Sequence, residues 1–315
     1  MAFEVSVCRE KKSPVIILRD TTNGCEAEIY CFGALLNSFI INTSKGKINV
    51  VDGFSSPGDA EQNIHKTFKS AKLSPFVCRL REGKFSHDGK EYKIKKFYLD
   101  RHAIHGLVYD ILFEIKEAKA DDKNAAVTIG ADYDGSDPGY PFSYHITVTW
   151  KLEANHKLTA ITTIEHSNQE AIPIADGWHP YFKMDVPVDE CAIEFDSEVQ
   201  LEFDDELLPT GKLKKDSRFL KKTSLKNIEL DNSFVLDTEI EYPECILTGK
   251  ELQLTISPDK SYPYLQIYIP PHRQSIAVEN ISSPPDSFNI DSWRAFANPG
   301  AKMIFSVTYQ LQTLN

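Results

Sequence analysis

The sequence predicts an all-β protein, a large antiparallel β-sandwich, and three features of the chain support this. Residues 144–152 alternate apolar and polar side chains, which is the period of a strand with one buried face. A second apolar run, 158–164, follows after a polar turn at 154–156, which indicates two adjacent antiparallel strands. Helical periodicity is not sustained over many turns anywhere in the 315 residues.

Short apolar runs separated by turn residues continue the strand pattern along the chain. They are 15–18, 27–30, 35–41, 48–51, 92–99, 192–195, 199–203, 228–230, 233–236, 252–256, 264–268 and 303–311. Asp88-Gly89 is the strongest hairpin signal, because a two-residue turn needs positive φ at both positions. Residues 59–72 are polar with scattered apolar positions, and they are predicted as either a short helix or a mobile lid.

No linker of shifted composition, internal repeat or low-complexity run divides the chain, so we expect a single domain over residues 1–315. Hydrophobic residues make up 41% of the chain and aromatic residues 11%, which is enough for a packed core. Six dispersed cysteines lack the paired spacings of a zinc site. We expect them to be reduced thiols, most of them buried.

The formal net charge of −11 argues against nucleic acids and anionic membranes as partners, because both bind basic surfaces. The lysines of 212–215 lie near acidic residues and are expected in a solvated loop. No stretch approaches the ~18 apolar residues of a membrane span, and no secretion leader is recognisable. A cytoplasmic protein is therefore expected.

The segment 176–182 places His179 among aromatic residues, and the proline that follows favours extended backbone. Extended backbone puts His179 and Tyr181 on one face and Trp178 on the other. A face with an imidazole and an aromatic ring suits a sugar. The alternative is a histidine that only packs at the edge of the core.

The segment 276–289 is an apolar strand that delivers one carboxylate, Glu279, and then runs into a loop rich in serine, proline, aspartate and asparagine. Such a loop is expected at the surface. A glutamate at that point is poised for chemistry. The alternative is an ordinary solvated strand end.

Four motif blocks, in this order and rough spacing, resemble the aldose 1-epimerase (galactose mutarotase) family. They are 79–85 with Asp88-Gly89 and His105-Gly106, then 177–182, then 231–234, and finally Glu279 with Pro285-Asp286 and Asn289. The resemblance implies a galactose mutarotase-like supersandwich with a sugar site on its concave face. It also implies interconversion of the α and β anomers of a free monosaccharide, without a metal or an organic cofactor.

By the same resemblance, Glu279 takes the proton of the C1 hydroxyl and His179 protonates the ring oxygen. The resemblance implies sugar-binding roles for four further residues: Arg79, His105, Asp231 and Gln266. From the residues alone, Asp231 is also compatible with capping a turn, and His105 with a purely structural turn. The neighbouring His102 is expected at the surface.

Two departures from the family pattern concern the sugar contacts. Cys78 stands where the family usually has asparagine, which removes a strong donor and acceptor. Asn280 stands where threonine or proline commonly follows the glutamate. The sequence therefore leaves open the preferred aldose, the reactivity of Cys78 and the oligomeric state.

Two other functions stay open on this fold. A hexose-6-phosphate mutarotase would need cations around the phosphate, and Arg79, Arg81 and Arg273 are the candidates. A non-catalytic carbohydrate-binding protein would need no acid–base pair, so the presence of both His179 and Glu279 argues against it. A glycoside hydrolase is disfavoured, because no comparable motif offers a second carboxylate.

Overall fold

The computed structural model describes residues 1–9 and 13–314, which form 29 β-strands and one α-helix, α1, at Pro57–Thr67. In chain order the strands are β1 (Phe3–Cys8), β2 (Val15–Asp20), β3 (Glu26–Tyr30), β4 (Leu36–Thr43), β5 (Gly46–Asn49), β6 (Ala71–Leu73), β7 (Arg79–Leu80), β8 (Lys84–His87), β9 (Lys90–Lys93), β10 (Tyr98–Leu99), β11 (His102–Ile104), β12 (Glu114–Ala120), β13 (Asn124–Tyr133), β14 (Tyr144–Glu153), β15 (Lys157–Glu165), β16 (Ile172–Pro173), β17 (Gly177–His179), β18 (Tyr181–Phe182), β19 (Ala192–Phe195), β20 (Val199–Phe203), β21 (Pro209–Lys215), β22 (Thr223–Ser224), β23 (Asp231–Val235), β24 (Cys245–Thr248), β25 (Leu252–Pro258), β26 (Tyr264–Tyr268), β27 (Ile276–Ile281), β28 (Phe296–Ala297) and β29 (Met303–Thr313). The predicted all-β class is confirmed.

Two large antiparallel sheets dominate the architecture. The first has nine strands in the order β12-β13-β14-β15-β29-β25-β24-β19-β22. The second has eight, in the order β21-β20-β23-β26-β27-β17-β6, with β18 also paired to β27. A five-stranded sheet, β1 to β5 in sequence order, contacts the first large sheet through β13 and β14.

Aromatic side chains join the two large sheets across the core. Trp150 of β14 lies 5.2 Å from Trp178 of β17 between ring centres, and Phe195 of β19 lies 4.8 Å from Phe234 of β23. Each pair brings one ring from each sheet, so the sheets face one another as in a sandwich. Buried apolar side chains from Phe3 to Leu311 form one connected cluster, and we infer that the chain is a single domain.

Local chemistry accounts for the predicted elements. In β14 buried and half-buried positions alternate along the whole strand, which is the predicted period of two. Asp88 and Gly89 have φ of +48° and +70° and join β8 to β9, as the hairpin prediction requires.

The segment 59–72, predicted as a helix or a lid, begins with the C-terminal part of α1. The Ser56 hydroxyl accepts the backbone N–H of Asp59 and Pro57 occupies the first turn, so the helix start is well capped. The helix ends at Thr67 and is capped by Phe68, which is left-handed at φ +53° and donates its N–H to the carbonyl of Ile64. Strand β6 follows.

Three predictions of local structure were wrong. Residues 92–99, predicted as one strand, are divided between β9 and β10, because the Asp137 carboxylate accepts the N–H groups of Lys95 and Lys96 in place of a neighbouring strand. Residues 228–230 form no strand, because Asn227 turns the chain at φ +59° and Arg273 Nη1 donates to the Ile228 carbonyl in place of a neighbouring strand. The lysines of 212–215 belong to β21, an edge strand of the eight-stranded sheet. Lysines on an exposed edge oppose pairing with other chains.

No helix among the described residues is long and apolar enough to cross a membrane. All six cysteines are free thiols, and five of them are buried, as expected.

Candidate active site

One face of the eight-stranded sheet packs Trp178 against Trp150 of the nine-stranded sheet. A cavity of about 440 Å³ opens on the other face. All six residues predicted as a site line it: Arg79, His105, His179, Asp231, Gln266 and Glu279. Small-molecule sites typically measure about 300–1,000 Å³, so the cavity has room for a sugar.

Strand register explains how two distant segments meet in this cavity. Strands β17 and β27 are antiparallel neighbours, and Gly177 pairs with Ile281. Two residues further along each strand, His179 stands beside Glu279, and its Nε2 lies 3.3 Å from Oε1 of the carboxyl group. Both side chains are buried but reach the cavity. The imidazole and the carboxyl group therefore face the same small volume.

A hydrogen-bonded chain extends the site across the next two strands. Gln266 of β26 pairs with Glu279, and its Nε2 donates to Oδ1 of Asp231 at 2.8 Å. The Ser233 hydroxyl donates to Oε1 of Gln266 at 2.5 Å, which fixes the orientation of the amide. Ser233 was not predicted as a site residue, although its two-residue spacing from Asp231 on one strand gave the signal.

Backbone strain places His105 in the cavity. His105 has φ +63° and Cys78 has φ +48°, and the His105 N–H donates to the Cys78 carbonyl at 2.9 Å. Gly106 follows at φ +78°, and a Cβ there would stand 2.3 Å from the carbonyl oxygen of Ser74. Left-handed non-glycine residues cost energy and concentrate at functional sites.

Aromatic rings form one wall of the cavity. The His105 ring packs edge-on against His179, with ring centres 4.7 Å apart, and lies 4.6 Å from Phe68. The Tyr181 ring stacks on His179 at 5.1 Å. The predicted common face of His179 and Tyr181 is confirmed, whereas the contribution of Phe68 was missed because it depends on where α1 ends.

Burial shifts the proton equilibria of the central pair in opposite directions. Desolvation raises the pKa of the Glu279 carboxyl well above its usual range, the Asp231 charge raises it further, and Arg79 opposes the shift. Desolvation lowers the pKa of His179 to about 4. Both shifts therefore favour a proton on the carboxyl group over a proton on the imidazole.

The surrounding groups are also tuned by burial. Desolvation lowers the pKa of His105 well below its usual range, and His179 and Arg79 lower it further, so its ring is neutral. Desolvation raises the pKa of Asp231, opposed by Arg79 and by the hydrogen bond from Gln266. Within the described part of the chain, the Arg79 guanidinium forms no ion pair with an acidic side chain, and it lines the cavity.

Cys78 lies at the floor of the cavity, with its Sγ 4.0 Å from Oε2 of Glu279. Burial raises the pKa of its thiol well above the usual range, and the neighbouring Glu279 raises it further. The thiolate is the reactive form of cysteine. Cys78 is therefore held as an unreactive thiol.

Two predictions of exposure near the site were wrong. Residues 283–288, expected in a surface loop, are buried, because the Asp286 N–H donates to the Arg79 carbonyl and its carboxylate accepts the N–H of Arg81 at 2.9 Å. His102, expected at the surface, is buried, and its Nδ1 accepts the N–H of Glu82 at 3.0 Å.

The arginines considered for phosphate binding divide into two groups. Arg81 forms ion pairs with Asp204 and Asp286, and Arg273 donates to Asp189 at 2.8 Å. Neither side chain lines the cavity, whereas Arg79 does.

His105, His179 and Glu279 also offer two imidazoles and a carboxylate with ligand atoms within 4.8 Å of one another. Transition metals accept such donors. Ligand atoms around a tetrahedral zinc ion lie roughly 3.5 Å apart, so this bound is wider than the spacing of a formed zinc site.

Comparison with known proteins gives a family and a fold. A family model described as aldose 1-epimerase matches residues 14–310. An uncharacterised protein of Escherichia coli K12, YihR, is 27% identical over 224 residues, which cover 69% of this chain and 70% of that protein.

Solved structures share the architecture. Galactose 1-epimerase from Lactobacillus acidophilus has a TM-score of 0.84 at 16% identity and covers 99% of both chains. A galactose mutarotase-like protein from Clostridium acetobutylicum has a TM-score of 0.85 at 16% identity, covering 99% of this chain and 98% of that one. These likenesses confirm the predicted galactose mutarotase-like fold.

Proposed function

We propose that this chain, which belongs to the aldose 1-epimerase family, interconverts the α and β anomers of a free aldose by general acid–base catalysis. The observation that carries the proposal is the 3.3 Å separation of His179 Nε2 and Glu279 Oε1 inside a cavity large enough for a sugar. In the ring form, O1 and O5 are both bonded to C1. The two proton carriers must therefore be close neighbours, as these two are.

The reaction sets the number of protons that the pair must hold. Ring opening needs a deprotonated base that takes the proton of O1 and a protonated acid that gives a proton to O5. The pair must therefore hold one proton. Transfer of that proton from Glu279 to His179 gives the carboxylate and the imidazolium that these roles require. Reclosure after rotation of the C1 carbonyl returns either anomer, with the roles of the two groups reversed.

The other lining groups are proposed to hold the sugar. Arg79 and the neutral ring of His105 offer N–H donors, and Asp231 and Gln266 form a hydrogen-bonded pair that can both accept and donate. Tyr181, stacked on His179, supplies apolar area for the C–H face of the ring.

The two charged neighbours of Glu279 should move the alkaline limit of activity in opposite directions. The pair becomes inactive at high pH when Glu279 loses its proton. Because Asp231 raises the pKa of that carboxyl and Arg79 lowers it, Asp231→Asn should shift the alkaline limb of kcat/KM to lower pH, and Arg79→Met to higher pH. Each variant is the control for the other. Shifts in the same direction would contradict the assignment of Glu279 to this limb.

The test of function is polarimetry on freshly dissolved α-glucose and α-galactose. We expect the chain to bring either sugar to anomeric equilibrium faster than buffer does, and to act better on free glucose than on glucose 6-phosphate. Arg81 and Arg273 are engaged outside the cavity, and Lys69 at its mouth is paired with Asp52 at 2.9 Å. Sugar binding without acceleration would indicate the non-catalytic alternative, and faster turnover of the phosphorylated sugar would indicate the hexose 6-phosphate enzyme.

A further inference from the structure

A buried ion pair lies behind the catalytic face of the eight-stranded sheet. The side chains of Lys72 and Asp176 are fully buried, and Lys72 Nζ lies 2.5 Å from Oδ1 of Asp176. The same ammonium donates to the Gly177 carbonyl at 3.1 Å and stands 4.2 Å from the centre of the Trp178 ring. The pair is on the Trp178 side of β17, away from the sugar cavity.

Asp176 connects three strands that each carry a cavity-lining residue, through its carboxylate to the start of β26 and through its backbone to the end of β27. Asp176 precedes β17, which carries His179. Its Oδ1 accepts the hydroxyl of Tyr262, at 2.6 Å, in the turn that leads into β26. Its backbone N–H donates to the hydroxyl of Ser282, just after β27, and its carbonyl accepts the Ser282 N–H, both at 2.8 Å.

Stability alone does not explain this arrangement. Burial raises the pKa of Asp176 and lowers the pKa of Lys72 to about 8, so the dry surroundings disfavour both charges. Replacing a buried ion pair by apolar side chains of similar volume is often neutral or stabilising. Catalysis, by contrast, tolerates little displacement, since a misplacement of about 1 Å can cost about 10²-fold in rate.

We propose that Lys72 and Asp176 are positioning residues for anomer interconversion. They contact no sugar and act through the backbone of β17, where they fix the imidazole of His179 against the carboxyl group on β27. Tyr262 extends the same restraint to β26. This inference rests on the proposed function.

The decisive variant is the double replacement Lys72→Met with Asp176→Val, which removes both charges and puts apolar side chains of similar volume in their place. We expect a folded protein whose Tm is unchanged or higher, with kcat lowered about 10–100-fold and KM changed much less. If the pair were merely structural, its replacement would not lower kcat while Tm is kept or raised. A double variant with the kcat of the active parent would overturn the proposal.

A second pair of variants keeps the test independent of how the double variant folds. Tyr262→Phe removes one hydrogen bond to Asp176, and Tyr133→Phe removes a buried hydroxyl that donates to the Tyr140 carbonyl at 3.0 Å in the other large sheet. We expect only Tyr262→Phe to lower kcat, and equal kcat values would overturn the proposal. An inactive parent protein would instead reject the proposed function, so the two failures are distinguishable.

Discussion

Glu279→Gln should slow anomer equilibration by roughly 10²–10⁴-fold, to near the rate in buffer, while the protein stays folded and still binds sugar. The amide has the shape of the protonated carboxyl group, so the contacts with its neighbours are kept. It cannot take the proton of O1, and the pair with His179 loses its exchangeable proton. Polarimetry on fresh α-glucose gives the rate, and calorimetric titration gives the affinity.

The matched control is Glu202→Gln. Glu202 lies on β20 of the same sheet, accepts the Thr210 hydroxyl at 2.9 Å and does not line the cavity. The Glu202→Gln variant should equilibrate the anomers at the rate of the parent protein. If Glu279→Gln retained that rate as well, Glu279 would not be the base.

The sequence predicted the sheet class because its signals are local. Alternation in 144–152 and the Asp88-Gly89 turn each depend on a few neighbouring residues, and the structure has both. The hairpin of β12 and β13 was not predicted, since β13 is buried on both faces and β12 is charged and mostly exposed, so neither alternates. Such strands are recognisable only by what packs on them.

The six residues that line the cavity were singled out by motif, but the motifs did not give their arrangement. His179 lies beside Glu279 because Gly177 pairs with Ile281. The pairing of two strands so far apart in the sequence has no local signal. The burial of 283–288 was missed for a related reason. Within this segment, Asp286 is hydrogen-bonded to the distant backbone of Arg79 and Arg81.

The buried pair of Lys72 and Asp176 shows a further limit of sequence reasoning. From the sequence, a lysine in a short polar stretch is expected to be exposed to solvent, because lysine is almost never fully buried unless it is paired. Its partner, Asp176, directly precedes β17 and is far from Lys72 in the sequence. Only the pairing of β6 with β17 brings the two charges together.

His179→Gln should lower the anomer equilibration rate by roughly 10²–10⁴-fold and also change its pH dependence. In the parent protein the pair is active while it holds one proton. Since burial lowers the pKa of His179 to about 4, activity should persist as pH falls through 6 and be lost near 4, where the imidazole takes up a second proton and no base remains. With glutamine at 179, the residual rate should show no acid limb set by this ring.

The control for that experiment is His166→Gln, the same replacement at a buried histidine that does not line the cavity. The Nε2 atom of His166 lies 2.9 Å from the Ala297 carbonyl oxygen. It should leave both the rate and the acid limb unchanged. If His179 were solvated in the working enzyme, with an ordinary pKa of about 6.5, the loss of activity would instead appear as an alkaline limb near that pH. Two ordinary side chains hold one proton between them only below about pH 6.5, so at neutral pH the pair would have no acid for O5, and the description of a buried one-proton pair would be wrong.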